Sequence, residues 1–399
     1  MNDTAVAVKQ LSGGAVGLRI AIVTETYPPE INGVAMTIGR MVDGLVAGGY
    51  DVRLVRPRQS ASDAPASSIG LRETLVHGFP VPRYHGLRMG LPATRMLLRL
   101  WSDERPDVVH IVTEGPLGRS ALIAARKLKI PASSDFHTNF HSYSKHYGFG
   151  LLKPAIARYL KRFHNSAAST FVPTRELQAQ LTAEGYRDLV VVARGVDTML
   201  FNPARRSAEL RRSWGAAEGD VVAIHVGRLA PEKNLPLVLA AFDAIKRRLP
   251  SSRLVLVGDG PQRAQLEQHQ PDHVFAGMRR GEDLATHYAS GDLFLFPSLT
   301  ETFGNVTVEA MASALSVVAY DYAAAREHLI HGETGLLAPC DDAAGFTRLA
   351  VDSAVDDALR SRLGRNARLA ARRIDWGEVV DEFAVALRGL ARADESARV

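Results

Sequence analysis

A single cysteine, Cys340, is all the thiol chemistry this 399-residue chain carries. That excludes an intrachain disulfide and any cysteine-rich metal cluster, and it fits a reducing cytoplasm. Long apolar runs are missing as well. None reaches the ~18 residues of a membrane-spanning helix, and the opening "MNDTAVAVKQLSGGAVG" lacks the apolar core of a secretion signal. Glycines in the GxGxxG spacing are absent, which argues against a dinucleotide-dependent oxidoreductase. So is any Asp-x-Asp pair of the kind that holds a divalent metal against a diphosphate. Histidines do cluster in "SSDFHTNFHSYSKHYG", where His137, His141 and His146 accompany Asp135, but their spacings match no familiar metal site. The expectation is no metal and no cofactor.

What is plentiful is ordinary soluble composition, 46% hydrophobic and 23% charged, over a length that calls for two cores. The net charge of +5 is unevenly spread. Residues 1–197 carry 24 Lys+Arg against 16 Asp+Glu, and residues 198–399 carry 24 against 27, so the halves stand at +8 and −3. A basic first half suggests an anionic partner surface, membrane or nucleic acid, or else a scattered solvated surface.

Strand and helix signals alternate along both halves. "LRIAIVTE", "YDVRLVRP", "PDVVHIVT" and "IPASSDFH" read as strands in the first half, with helical "VAMTIGRMVDGLVAGG" and "PLGRSALIAARKLK" among them. "DVVAIHVG", "SRLVLVGD", "HVFAG", "DLFLFPS" and "SVVAYD" repeat the theme in the second, again alternating with helical stretches. Short apolar strands between helices predict parallel sheets covered on both faces, hence two doubly wound α/β domains. The joint falls near "ARGVDTMLFNP", where Gly195 and Pro203 interrupt the pattern. The expected units are an N-terminal domain over 1–197, a C-terminal domain over 198–372, and a terminal helix over 373–399.

Ligands of such sheets bind beyond the C-terminal ends of the strands. "FLFPSLTETFGNVTVEAMASA" is a strand, loop and helix in that position. Amides at the helix start favour an anion, and Gly304 lets backbone approach it closely. Glu301 on the loop and Glu309 one turn into the helix can accept from hydroxyls. Acids beside phosphate-binding amides suit a nucleotide sugar; the blander reading is that both only favour the positive helix end. In "IHVGRLAPEKNLPLVLAAF", Arg228 follows a strand end and Lys233 sits near another helix start, where a cation opposes the dipole unless a diphosphate joins it; the blander reading is a solvated Lys233 beside Glu232. "TETYPPEINGVAMT" places Gly33 ahead of a helix, and His137 ends a strand, which puts it in the cleft. "VGDGPQR", with its Gly258-Asp259-Gly260 turn, is a weak signal alone.

Taken together these stretches resemble the retaining glycosyltransferases of family four, from about residue 18 to 390. "GRLAPEKN" and the two glutamates of "ETFGNVTVE" are the most specific parts. "ETYPPEINGVAMT", "DFHTNFHSYSKHYG" and "YDYAAAREHLIHGETGLL" look like bacterial GDP-mannose-dependent α-mannosyltransferases and the related sulfoquinovosyl and glucosyl lipid transferases. The resemblance implies a GT-B type fold: two facing Rossmann-like domains with a cleft between them and a last helix crossing back to the first domain. It implies Arg228 and Lys233 on the donor diphosphate, and Glu301 on the sugar hydroxyls. The amides of Phe303, Gly304, Asn305 and Val306 would hold sugar and phosphate, and Glu309 the ribose. Gly33 would lie under the diphosphate, His137 near the transferred sugar, and Met278 and Arg279 at the base. The implied partners are a nucleotide-diphosphate sugar, GDP-mannose or else UDP-glucose or UDP-galactose, and a lipid or glycan acceptor. No nucleic acid is implied. The expected place is the cytoplasm, with the inner membrane face as a peripheral site. A nucleotide-sugar epimerase of similar architecture is the rival. The chain departs from the family at Ala314 and Ser316, where Gly and Pro are common, and at Asn32, where a first Gly is usual.

Overall fold

The computed structural model describes residues 17–30, 32–60, 62–80, 88–137, 153–301 and 303–396. Two facing α/β domains are built on two separate sheets. The first sheet takes β1 (Arg19–Val23), β2 (Asp51–Pro57), β3 (Ser67–Ser68) and β4 (Leu71–Val76). A small antiparallel hairpin, β5 (Gly78–Pro80) with β6 (Arg88–Gly90), stands apart. The first sheet continues with β7 (Val108–Ile111), β8 (Ala132–Asp135), β9 (Ser169–Val172) and β10 (Leu189–Val191). Its order is β10-β9-β8-β7-β1-β2-β4-β3, parallel throughout except for β3 against β4. The second sheet holds β11 (Val222–Val226), β12 (Arg253–Val257), β13 (Val274–Gly277), β14 (Leu293–Phe296), β15 (Ser316–Tyr320) and β16 (Leu336–Ala338). All its pairs are parallel, in the order β13-β12-β11-β14-β15-β16.

The unbroken apolar runs of these strands follow from burial on both faces. In β1, Ile20 and Ile22 enter one core while Ala21 and Val23 enter another on the opposite face. β14 repeats the division, Phe294 and Phe296 on one side and Leu293 and Leu295 on the other. Sheet order reverses direction at β1 and β7 in the first domain and at β11 and β14 in the second, so the loops after these strands line the cleft.

The chain crosses between the sheets twice. Val196 pairs with Asp375, and its amide donates to Ile374 O at 3.0 Å, so the two crossings run side by side. Gly195 is required there, since a Cβ would come within 2.8 Å of the Trp376 ring. The last helix, Trp376–Ser396, packs Val379, Phe383 and Leu387 into the core of Ile20, Ile38 and Met41.

The departures at 314 and 316 are absorbed locally. Ala314 adopts φ 62°, the left-handed conformation a glycine would take freely. Ser316 starts β15 and hydrogen-bonds Ser353 across Oγ atoms at 2.8 Å, where proline could not. Strands β3 to β6, β9, β10 and β16 have no counterpart in the sequence reading. Ser169–Val172 is fully buried, but half its residues are polar, with Thr170 bonded to Ser134 at 2.9 Å, so it shows little apolar signal.

Candidate active site

Three loops at the C-terminal edge of the second sheet build one wall. After β11 comes Gly227, then Arg228, then the 3₁₀ turn Pro231–Lys233. Its carrier loop is held from behind by the Gly258-Asp259-Gly260 turn. Leu229 N donates to Asp259 O at 2.9 Å, and a Cβ on Gly258 would sit 1.9 Å from Gly227 O. That turn looked weak as a binding motif; it is the support on which Arg228 rests. Arg228 is half-exposed and lies 3.8 Å from Glu232, whereas Lys233 is mostly buried.

After β14 the loop returns Glu301 to Lys233, with which it forms an ion pair. Ser298 Oγ donates to the same Glu301 oxygen at 2.8 Å, and Tyr322 OH donates to Glu301 O at 2.9 Å. Lys233 Nζ also lies 5.4 Å from the centre of the Phe296 ring. The helix Asn305–Ala312 follows with no side-chain cap, its N-cap Gly304 at φ 96°. Its first amides therefore point into the cleft without a side chain of their own to satisfy them. Phe303 is buried in the core, and its carbonyl accepts from Ala324 N at 2.8 Å.

Glu309 stands one turn further on. Tyr288 OH donates to its Oε2 at 2.9 Å, and burial pushes the carboxyl up to about 7 despite that bond. Tyr288 itself is fully buried and escaped the sequence reading, because an inward tyrosine on an amphipathic helix looks like core. After β13, Met278 is exposed at the loop tip, while Arg279 bends back to Ala276 O and Asp283.

The first domain supplies the opposite wall. Gly33 opens the helix Gly33–Ala47, and a Cβ there would lie 3.9 Å from Asn305 Nδ2, so two helix starts from different domains meet. Asn32, the departure from Gly-Gly, caps this helix through Ala35 N at 2.8 Å and donates to Thr26 Oγ1 at 2.7 Å. His137 lies beyond β8 with both ring nitrogens engaged, Nδ1 by Arg194 at 3.0 Å and Nε2 within 2.7 Å of Asp135. Arg194 was not singled out from the sequence; it sits in the crossing segment, far from the other candidates along the chain. His141 and His146 lie outside the described residues. Among the described residues no group of three His, Cys, Asp or Glu side chains could hold a metal. The domains are also tied at their rim, where Glu176 accepts from Ala323 N at 3.1 Å and pairs with Arg326.

A parallel-sheet pair with cations, acids and two helix starts converging between them defines a glycosyltransferase of the two-domain type. The model described as Glycosyltransferase Family 4 matches residues 31–200, and that described as Glycosyl transferases group 1 matches residues 220–354. A GDP-mannose-dependent alpha-mannosyltransferase of Mycobacterium tuberculosis is 34% identical over 371 residues, covering 92% of this chain and 95% of that protein. An alpha-monoglucosyldiacylglycerol synthase of Acholeplasma laidlawii is 28% identical over 324 residues, 75% of this chain and 80% of its own length. Among solved structures, Anabaena Alr3699/HepE in complex with UDP-glucose superposes with a TM-score of 0.70 at 20% identity, covering 93% of this chain and 100% of that one. The chain belongs to the family 4 glycosyltransferases. It is a hexosyltransferase that draws its sugar from a nucleotide-sugar donor.

Proposed function

We propose that this enzyme transfers mannose from GDP-mannose, with retention of anomeric configuration, to a lipid or glycolipid acceptor at the inner face of the cell membrane. The observation that carries the reading is the convergence of Lys233, Glu301 and the uncapped helix start at Gly304 on a spot that Gly33 faces from the other domain. A diphosphate there meets Arg228 as a planar fork, Lys233 as a point charge, and the amides of Phe303, Gly304, Asn305 and Val306. Glu301 accepts from the sugar hydroxyls and Glu309 from the ribose. Met278 and Arg279 face the base, and His137 lies beside the transferred sugar.

Charge moves onto the diphosphate as the glycosidic bond breaks, and fixed cations and amides stabilise it most at that moment. The leaving phosphate oxygen takes the acceptor's proton on the face it departs from, so configuration is kept without a protein nucleophile, unlike the carboxylate pair of a retaining glycosidase. Closure of the cleft keeps water from the donor.

Mannose and GDP are favoured by the mycobacterial relative, and a lipid acceptor by the name of the Acholeplasma relative. The exposed cations Arg95, Arg99, Arg158, Lys161 and Arg162 add an anionic surface as partner. No described helix is long and apolar enough to cross a membrane. Leu160 and Phe163 of the basic helix Lys153–His164 are buried, so attachment rests on charge rather than on insertion of its apolar side. The test is a donor panel of GDP-mannose, UDP-glucose and UDP-galactose against lipid and soluble acceptors. Turnover with GDP-mannose and lipid is expected; preference for a UDP-hexose overturns the donor, and release of an epimerised donor without acceptor overturns transfer.

A further inference from the structure

A buried charged cluster sits at the C-terminal edge of the first sheet. Asp135 ends β8, His137 follows two residues later, His110 lies on β7, and Arg194 arrives from the crossing segment. The side chains of Asp135, His137 and Arg194 are all 6–7% exposed, and that of His110 is fully buried. Arg194 Nη2 lies 3.3 Å from both Asp135 oxygens and 3.0 Å from His137 Nδ1. His137 Nε2 lies 2.7 Å from Asp135 Oδ2, off the ideal line of a hydrogen bond, and His110 Nε2 is 3.9 Å from the same oxygen.

A guanidinium has only donors, so Nδ1 of His137 must present its lone pair to Arg194. The ring's proton is then on Nε2, beside the carboxylate. We propose that Arg194 is a positioning residue that fixes His137 as the neutral, Nε2-protonated tautomer and locks its ring orientation. Asp135 alone would draw a second proton onto the ring; the guanidinium opposes it, and Asp135 and Arg194 neutralise one another. The groups facing the imidazole are Asp135, Arg194 and, more weakly, Glu114 from the loop after β7, with His110 acting through the shared carboxylate. Burial and Arg194 push the imidazole below its ordinary range while Asp135 pulls it up, and the balance is downward.

Resting on the reading that places His137 beside the transferred sugar, this neutrality matters for the reaction. Positive charge develops on the sugar ring as the donor bond breaks. An imidazolium there would oppose it; a neutral ring does not. Arg194 is well placed to hold this state, because Gly195 is pressed on Trp376 and Val196 is bridged to Asp375, which anchors its backbone at the domain crossing.

The experiment is nitrogen-resolved NMR of histidine-labelled full-length protein, with His137 assigned by the signal lost in His137→Gln. A bare Nδ1 and protonated Nε2 at pH 7, with any titration displaced below the ordinary value of about 6.5, is expected; an Nδ1-protonated ring, or titration at or above that value, overturns the proposal. In Arg194→Met the ring should titrate at higher pH than in the wild type. Turnover at pH 6 should fall about 10²-fold, recover as pH rises, and leave the donor KM within about twofold. Arg194→Lys should fall between. Wild-type turnover and pH profile in a folded Arg194→Met also overturns it. If that variant does not fold, the wild-type spectrum alone decides. The tautomer is read without activity, so failure of the glycosyl-transfer reading would show separately in the donor panel.

Discussion

Lys233 and Glu301 are 68 residues apart in the chain and form an ion pair at the cleft, one from the loop after β11 and the other from the loop after β14. Ser298 bonds the same carboxylate oxygen, so Glu301 is held even when the ammonium turns to another anion. Removing either cation should therefore damage turnover more than folding. Lys233→Ala and Arg228→Ala are each expected to lower kcat by 10²–10³-fold, about 2.7–4 kcal/mol of barrier. Glu301→Ala should impair transfer as well. Steady-state kinetics beside thermal melts check this, and near wild-type rates in a folded double variant would sink the diphosphate role.

On the proposed roles of Arg228, Lys233 and the helix amides, transfer should proceed in EDTA at the rate seen without it. Strict dependence of the initial rate on added divalent metal would contradict this.

Two buried acids make stability depend on pH. Burial pushes Glu309 and Glu25 each up to about 7, the latter despite accepting from Leu117 N at 2.8 Å. Between the ordinary carboxylate range and pH 7 the folded chain binds more protons than the unfolded one, so stability falls as pH rises through that window and levels off above it. The cost is on the order of 3 kcal/mol per group at pH 8. Melting temperatures should drop from pH 5 to pH 8, less steeply in Glu309→Gln and Glu25→Gln. Equal slopes in all three proteins would show that these acids are not the cause.

Ala314 at φ 62° holds a conformation that costs an L-residue about 1–2 kcal/mol. Ala314→Gly should therefore stabilise by about 0.5–1 kcal/mol after glycine's greater unfolded-state entropy is counted. A higher denaturant midpoint at unchanged m-value is the expected result; a lower midpoint would mean the methyl group contributes packing that outweighs its strain.

Attachment through Arg158, Lys161 and Arg162, with Leu160 and Phe163 turned into the core, should be electrostatic and fade with salt. Co-sedimentation with anionic liposomes is expected at low ionic strength, with loss of about 1 kcal/mol for each cation changed to Gln. Wild-type protein that ignores such liposomes at low salt while glycosylating a soluble acceptor efficiently would rule out the membrane surface.

The α/β class, the two sheets and the loops that carry Arg228, Lys233, Glu301 and Gly304 were legible in the residues, because strands buried on both faces are written as short apolar runs. Such loops then need only glycine and charge at a helix start. β9 was not legible, since Ser169 and Thr170 are buried by bonding to other polar groups rather than by being apolar. Nor was the pairing of Glu309 with Tyr288, or of His137 with Arg194, because hydrogen bonds between distant segments leave no periodicity behind. Local chemistry along the chain marked the residues proposed to meet a nucleotide sugar. The order of the strands and the two crossings at Val196 and Asp375 decided which of them face one another, and which protonation states burial imposes on them.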